Sequence, residues 1–241
     1  MKKKIAVLGG LILIIAVAFL LVCKGVVIPN SIKADKYQVR GVDVSSYQGD
    51  IDWKKLSSQG ISFAFIKATE GSSHEDQYFK YNYREAQKAG LRVGAYHFFS
   101  YDSEGRTQAE NFINTVEKYE SMLPPVIDVE FYGDKESNPP DKTAVHEQMD
   151  IMVSLLEEHY GMKPIIYATA KSYSMYIKGD YKDCDIWIRN VVIKPRLDDG
   201  RKWTFWQYTD KETLEGYSGK ERYIDMNVFC GSREEFEGYG M

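Results

Sequence analysis

Histidine and cysteine are scarce in this chain of 241 residues, with four of the first and three of the second. No CxxC, HExxH or clustered-histidine pattern is present, so no metal site is expected. No GxGxxG or GxxxxGK[ST] loop is present, so nothing points to a nucleotide, and no cofactor is expected. Internal repeats and low-complexity tracts are also missing. Basic charge is thin outside the first 24 residues, which hold Lys2, Lys3, Lys4 and Lys24 and no acid. Removing those four from the 31 basic residues leaves 27 against 35 acids, a net charge of −8. A surface of that sign excludes nucleic acid as a partner, because binding phosphate backbones needs lysine and arginine. It also leaves no polybasic handle for an anionic cell wall.

One long apolar run is present. Residues 5–23 carry no charge and follow the three lysines. About 20 residues of helix span a bilayer's hydrocarbon core. The lysines ahead of the run predict a cytoplasmic N-terminus and an exported remainder. The expectation is a single-pass membrane anchor over residues 1–24, with the rest outside the cell membrane. A cleaved signal peptide, which would give a secreted protein, is the alternative; no small-x-small site directly follows the run. A lipid-modified Cys23 is a third reading, but Val22 stands where a small residue is expected. In the exported part, Cys184 and Cys230 are free to pair or to remain thiols.

Residues 25–40 read as a linker. A regular alternation follows. Short β-rich runs occur at 41–45, 62–68, 92–98, 125–130, 163–169, 184–190, 203–209 and 223–229. Helical patterns fill 53–59, 76–89, 107–119 and 143–160, with a short one at 170–176. Gly60, Gly90 and Gly161 stand where helices end. Strands alternating with helices predict a parallel sheet, and eight strands predict closure into a barrel. The last connections look irregular, so the helices should fade toward the C-terminus. The fold class is therefore α/β, an irregular β/α barrel over residues 41–232 with a tail at 233–241. An open doubly wound sheet is the alternative.

Barrel active sites gather at the carboxyl ends of the strands. Strand periodicity puts Asp128 and Glu130 on one face of an apolar strand, where two carboxylates repel each other and resist desolvation. Such a pair suits glycosidic cleavage, which needs one acid protonated and one ionised. Asp43 and Asp225 fall at two other strand ends. Lys67, Tyr96, His97, Tyr167, Trp187, Trp206 and Gln207 complete the candidate mouth. Aromatics beside carboxylates suit a sugar ring, which stacks through its apolar face and hydrogen-bonds through its hydroxyls.

The stretch from Gly41 through Val42, Asp43, Val44, Ser45, Ser46, Tyr47, Gln48 and Gly49 to Ile51, Asp52 and Trp53 resembles the opening of glycoside hydrolase family 25. These are the N-acetylmuramidase lysozymes of bacteria and phages. Later landmarks follow in the family's order: Ile66 to Gly71, Gly94 to Phe98, Pro125 to Glu130, Ile166 and Tyr167, Trp206 to Tyr208, and Ile224 to Phe229. The resemblance implies an irregular β/α barrel that cuts peptidoglycan between N-acetylmuramic acid and N-acetylglucosamine. It implies Glu130 as general acid and Asp128 as the group that stabilises positive charge or orients the substrate's N-acetyl group. Asp43 and Asp225 would be the two further acids, and Lys67, Tyr167 and Trp206 pocket residues. The expected partner is the peptidoglycan glycan strand. A chitinase-like hydrolase and a non-catalytic glycan-binding protein are the competing readings. Oligomeric state and the retaining or inverting outcome stay open.

Overall fold

The computed structural model describes residues 2–240, with side chains described from residue 10 onward. In chain order the elements are α1 (Lys2–Cys23), α2 (Ser31–Ala34), β1 (Arg40–Val44), α3 (Trp53–Ser57), β2 (Phe63–Glu70), β3 (His74–Glu75), α4 (Phe79–Lys88), β4 (Arg92–Phe98) and α5 (Gly105–Thr115). Then come β5 (Val126–Val129), α6 (Lys142–Tyr160), β6 (Ile165–Thr169) and α7 (Ala170–Ser172), which runs into a π-helical turn (Tyr173–Ile177). The chain ends with β7 (Ile186–Arg189), β8 (Phe205–Glu212), β9 (Ile224–Phe229) and α8 (Arg233–Glu237). Local chemistry sets several boundaries. Asp141 caps α6 by accepting from the backbone N–H groups of Thr143 and Ala144, and the helix stops at Gly161 with φ of 72°.

The sheet closes. Its order is β1-β9-β8-β7-β6-β5-β4-β2, and β2 returns to pair with β1, leaving only the two-residue β3 outside the ring. The expected eight-stranded barrel is present, and closure excludes the open doubly wound alternative. One strand departs from the expected parallel sheet: β9 lies antiparallel to both β8 and β1. Residues 213–223 between β8 and β9 are a short connection without a helix, which suits an antiparallel return; a parallel return needs a crossover of about a dozen residues or more. The helices fade as expected, since no helix lies between β7 and β9.

Strand alternation sorts the core into two layers. Phe63 and Phe65 of β2, Val126 of β5, Ile165 and Tyr167 of β6, Trp187 of β7 and Phe205 of β8 fill the barrel interior. Their sequence neighbours, such as Ala64, Ile66, Ile127, Ile166 and Ile188, face outward to the helices. Gly41 belongs to the inner layer, where an added Cβ would collide with the Phe63 ring. Without a side chain there, the aromatic ring fills the space.

The segments on both sides of residues 41–232 pack against the barrel. In the C-terminal tail, Phe236 of α8 is 3% exposed and plugs the barrel beneath Phe63 and Phe229. In the linker at residues 25–40, Asn30, Ala34 and Val39 are buried against the barrel. Helix α1 covers the apolar run. Among the described residues no helix is long and apolar enough to cross a membrane. The side chains of residues 1–9, part of the expected anchor, lie outside those described. Cys184 is buried, Cys230 is exposed, and neither forms a disulfide.

Candidate active site

A cleft of about 450 Å³ opens at the carboxyl ends of the parallel strands. It is lined by Asp43, Asp128, Glu130 and Asp225, so β1, β5 and β9 each deliver acid to one mouth. Asp43 and Asp225 stand directly opposite in the β1–β9 register. Asp128 is 6% exposed within β5, whereas Glu130 follows the strand and is half-buried, reaching further into the cleft.

Asp43 is tightly held. Gln207 donates from Nε2 to both its carboxylate oxygens, at 3.1 and 2.9 Å, and Asn227 donates from Nδ2 to Oδ2 at 2.7 Å. Those donors are themselves oriented. Tyr167 donates its hydroxyl to Gln207 Oε1 at 3.0 Å, and Trp187 donates Nε1–H to Asn227 Oδ1 at 2.8 Å. The indole ring of Trp187 stacks on Phe65, with centroids 4.5 Å apart, and meets Tyr167 edge-on at 4.6 Å. The floor of the cleft is therefore an aromatic wedge wired to a carboxylate.

All four acids are pushed above the ordinary carboxylate range. Burial is the largest cause for each. For Asp128 the charge on Glu130 adds to it, and Lys67 opposes it. For Glu130, Arg189 pulls the other way most strongly, with Asp43 pushing up. For Asp225, burial is reinforced by the charges on Asp43 and Asp210, while Arg189 opposes it. For Asp43, the hydrogen bonds from Asn227 and Gln207 oppose the burial. Two cations face the acids: Arg189, which donates to Asp210 at 2.7 Å, and Lys67, paired with Glu70 at 2.7 Å and lying 4.8 Å from the centroid of the Phe98 ring.

The family model for glycosyl hydrolases family 25 matches residues 42–217, nearly all of the barrel. The chain belongs to this family. A family 25 glycosyl hydrolase structure from Bacillus anthracis is 60% identical and covers 86% of this chain and 95% of its own, with a TM-score of 0.82. A bacterial lysozyme from Streptomyces coelicolor is 30% identical, covering 83% and 95%, with a TM-score of 0.75. Lysozyme M1 of Streptomyces globisporus is 34% identical over 215 residues, which is 83% of this chain and 70% of that protein.

Nine of the eleven candidate residues line the family 25 cleft: the four acids with Lys67, Tyr96, Tyr167, Trp187 and Gln207. Two do not. His97 and Trp206 are the outward-facing neighbours of Tyr96 and Gln207, and both are completely buried. Trp206 donates its indole N–H to the carbonyl of Asn190 at 2.9 Å, behind the barrel wall. His97 ties β2 to α5. Gln108 spends its amide NH₂ on the carbonyls of Ser100 and Ser103, so its Oε1 accepts from His97 Nε2–H at 3.0 Å, and His97 Nδ1 accepts from the Thr69 hydroxyl at 2.7 Å. Arg189, Asp210 and two rim aromatics, Tyr47 and Tyr223, also line the cleft. Strand alternation marks Arg189, two residues after Trp187. Asp210, Tyr47 and Tyr223 sit beyond a β-bulge or on loops, where alternation carries no signal.

Proposed function

We infer that this family 25 chain is a peptidoglycan hydrolase of the lysozyme type, cleaving the β-1,4 bond between N-acetylmuramic acid and N-acetylglucosamine. One observation carries the reading: four carboxyls from three strands converge in a single aromatic-floored cleft. Glycosidic cleavage builds positive charge at the anomeric carbon, which nearby carboxylates stabilise, and it needs one acid that keeps its proton near neutral pH. We assign the general acid to Glu130. Asp128 is pushed up too, but it is sealed within the strand, while Glu130 reaches into the cleft. Sugar filling the cleft strips remaining water from Glu130 and raises it further. Asp128 lies beside the developing charge or orients the N-acetyl group. Asp43 and Asp225 hold the local field, and Tyr47 and Tyr223 offer stacking faces at the rim. Digestion of purified wall followed by borohydride reduction tests the bond choice. Reduced N-acetylmuramic acid is expected; reduced N-acetylglucosamine would assign a glucosaminidase instead.

We also propose that residues 5–23 hold the chain in the bacterial cell membrane with the barrel outside. The run is uncharged and follows three lysines. The described part of α1 supports this, because Leu11, Ile12, Leu13, Ile14 and Phe19 are all more than half exposed. A helix apolar on all sides needs an apolar surrounding. Protease added to wall-stripped cells should degrade the barrel, and recovery of the mature chain free in the medium would overturn the proposal.

A further inference from the structure

Residues 25–39 would reach about 50 Å if extended, enough to let a tethered barrel roam. In the folded chain that slack is gone. The end of α1 meets the rim of the cleft: Tyr223 donates its hydroxyl to the Lys24 carbonyl at 3.1 Å. Gly25, with φ of 66°, lies so close to β8 that an added Cβ would sit 2.5 Å from the Lys211 carbonyl oxygen. Lys211 and Tyr223 both line the cleft. From there the segment runs down the outside of the barrel. Asn30 is fully buried and donates to the carbonyls of Asn190 at 2.9 Å and Tyr208 at 3.2 Å. Tyr37 packs against Trp203 at 5.4 Å and Trp206 at 6.3 Å. Val39 is buried where its carbonyl accepts from the N–H of Phe229, at the far end of the barrel.

The strap therefore starts at the catalytic end. Around that start lies an exposed apolar patch: Val26 and Val27 follow α1, and Ile32 is 78% exposed on α2. Val192 and Ile193, 65% and 59% exposed, extend it from the loop after β7, which Asn30 fastens alongside. The patch is continuous with the apolar run of α1, which says what covers it.

We propose that this patch seats on the phospholipid bilayer, so that the strap holds the catalytic mouth at the membrane surface and confines the enzyme to glycan lying against the membrane. The proposal rests on the membrane reading of residues 5–23 and deepens the hydrolase reading by naming which glycan is within reach. A barrel tied by a slack linker would present its mouth in any direction. A barrel strapped at the cleft rim faces the bilayer, and wall beyond the barrel's own depth lies outside its reach.

The test uses the full chain in phospholipid nanodiscs that carry nitroxide-labelled headgroups. With Cys23, Cys184 and Cys230 replaced by serine, a fluorophore is placed at Ile193→Cys or at Lys118→Cys. Lys118 lies beside Gly161 at the opposite end of the barrel. Quenching at 193 is expected to exceed quenching at 118 several-fold; equal quenching would overturn the proposal, as would failure of the full chain to associate with the nanodisc. In a second arm, fifteen Gly/Ser residues are inserted between Lys24 and Gly25. The insertion should relax quenching at 193 and raise cleavage of added sacculi about tenfold or more, with turnover of short soluble glycan unchanged. Equal cleavage of sacculi with and without the insertion would count against confinement. Loss of short-glycan turnover in both proteins would strike the hydrolase reading, and the quenching contrast still decides the geometry.

Discussion

At the scale of single residues, the cleft separates carboxyls by what surrounds them. Glu130 has the reach and an acidic neighbour in Asp43, while Arg189 holds it down. Glu130→Gln keeps the shape but has no acidic proton to donate. A loss of at least about a hundredfold in wall clearing is expected, the low end for general acid catalysis. Asp128→Asn should be comparably severe. Asp43→Asn should be milder and should shift the alkaline limb of the activity profile. Removing a negative charge that raises Glu130 lowers its pKa, so the limb moves to lower pH. A limb that moves upward, or a folded Glu130→Gln protein with near-normal clearing, would show that the acid lies elsewhere. Circular dichroism beside each assay separates chemistry from unfolding.

At the scale of elements, alternation was the legible signal, and it applies to every strand. It places Asp128 with Glu130, and equally Trp187 with Arg189 and Asp225 with Asn227, all facing the interior. The same rule turns His97 and Trp206 outward, because Tyr96 and Gln207 beside them face in. As strand-end landmarks a histidine or tryptophan looks alike from either side, and only alternation against their inward neighbours marks these two as wall residues. What the sequence hid was tertiary. The reversed direction of β9, the packed strap at residues 25–39 and the plug formed by α8 have no local pattern. The plug gives an element-level prediction. Phe236 fills the base of the barrel against Phe63 and Phe229, while Arg92 donates to the carbonyls of Phe236 and Tyr239. Phe236→Ala should cost about 3–5 kcal/mol, the usual range for a buried phenylalanine. Denaturant unfolding measures it; a cost below about 1 kcal/mol would mean that α8 is peripheral.

At the scale of the whole molecule, stability against pH is a contest between two buried sets. The four cleft acids bind protons more tightly folded than unfolded. Their stabilisation is fully present below the unfolded carboxyl value near pH 4 and is lost as pH rises through their folded values. His97 works the other way. Burial lowers its pKa to about 4, so as pH falls below the unfolded value near 6.5 the unfolded chain takes up a proton that the folded chain refuses. That is a loss on the order of 3 kcal/mol between about pH 6.5 and 4. Exposed acids such as Asp102 and Asp180, held low by Lys135 and Lys142, lose stabilisation on the same side, but solvent screens them. The wild-type profile should therefore be flattened between pH 4 and 7, with the two effects exposed by subtraction. His97→Gln should remove the acid-side loss. Asp225→Asn keeps the shape and removes one burial-strained acid, so it should melt no lower than wild type near pH 4. Its advantage should grow as pH rises and level off above the folded pKa of Asp225, by about 2–4 °C in Tm for each kcal/mol. Calorimetry across that range decides it: an advantage that is constant, or largest in acid, would mean that Asp225 is not strained by burial and that the cleft does not store the repulsion its chemistry requires.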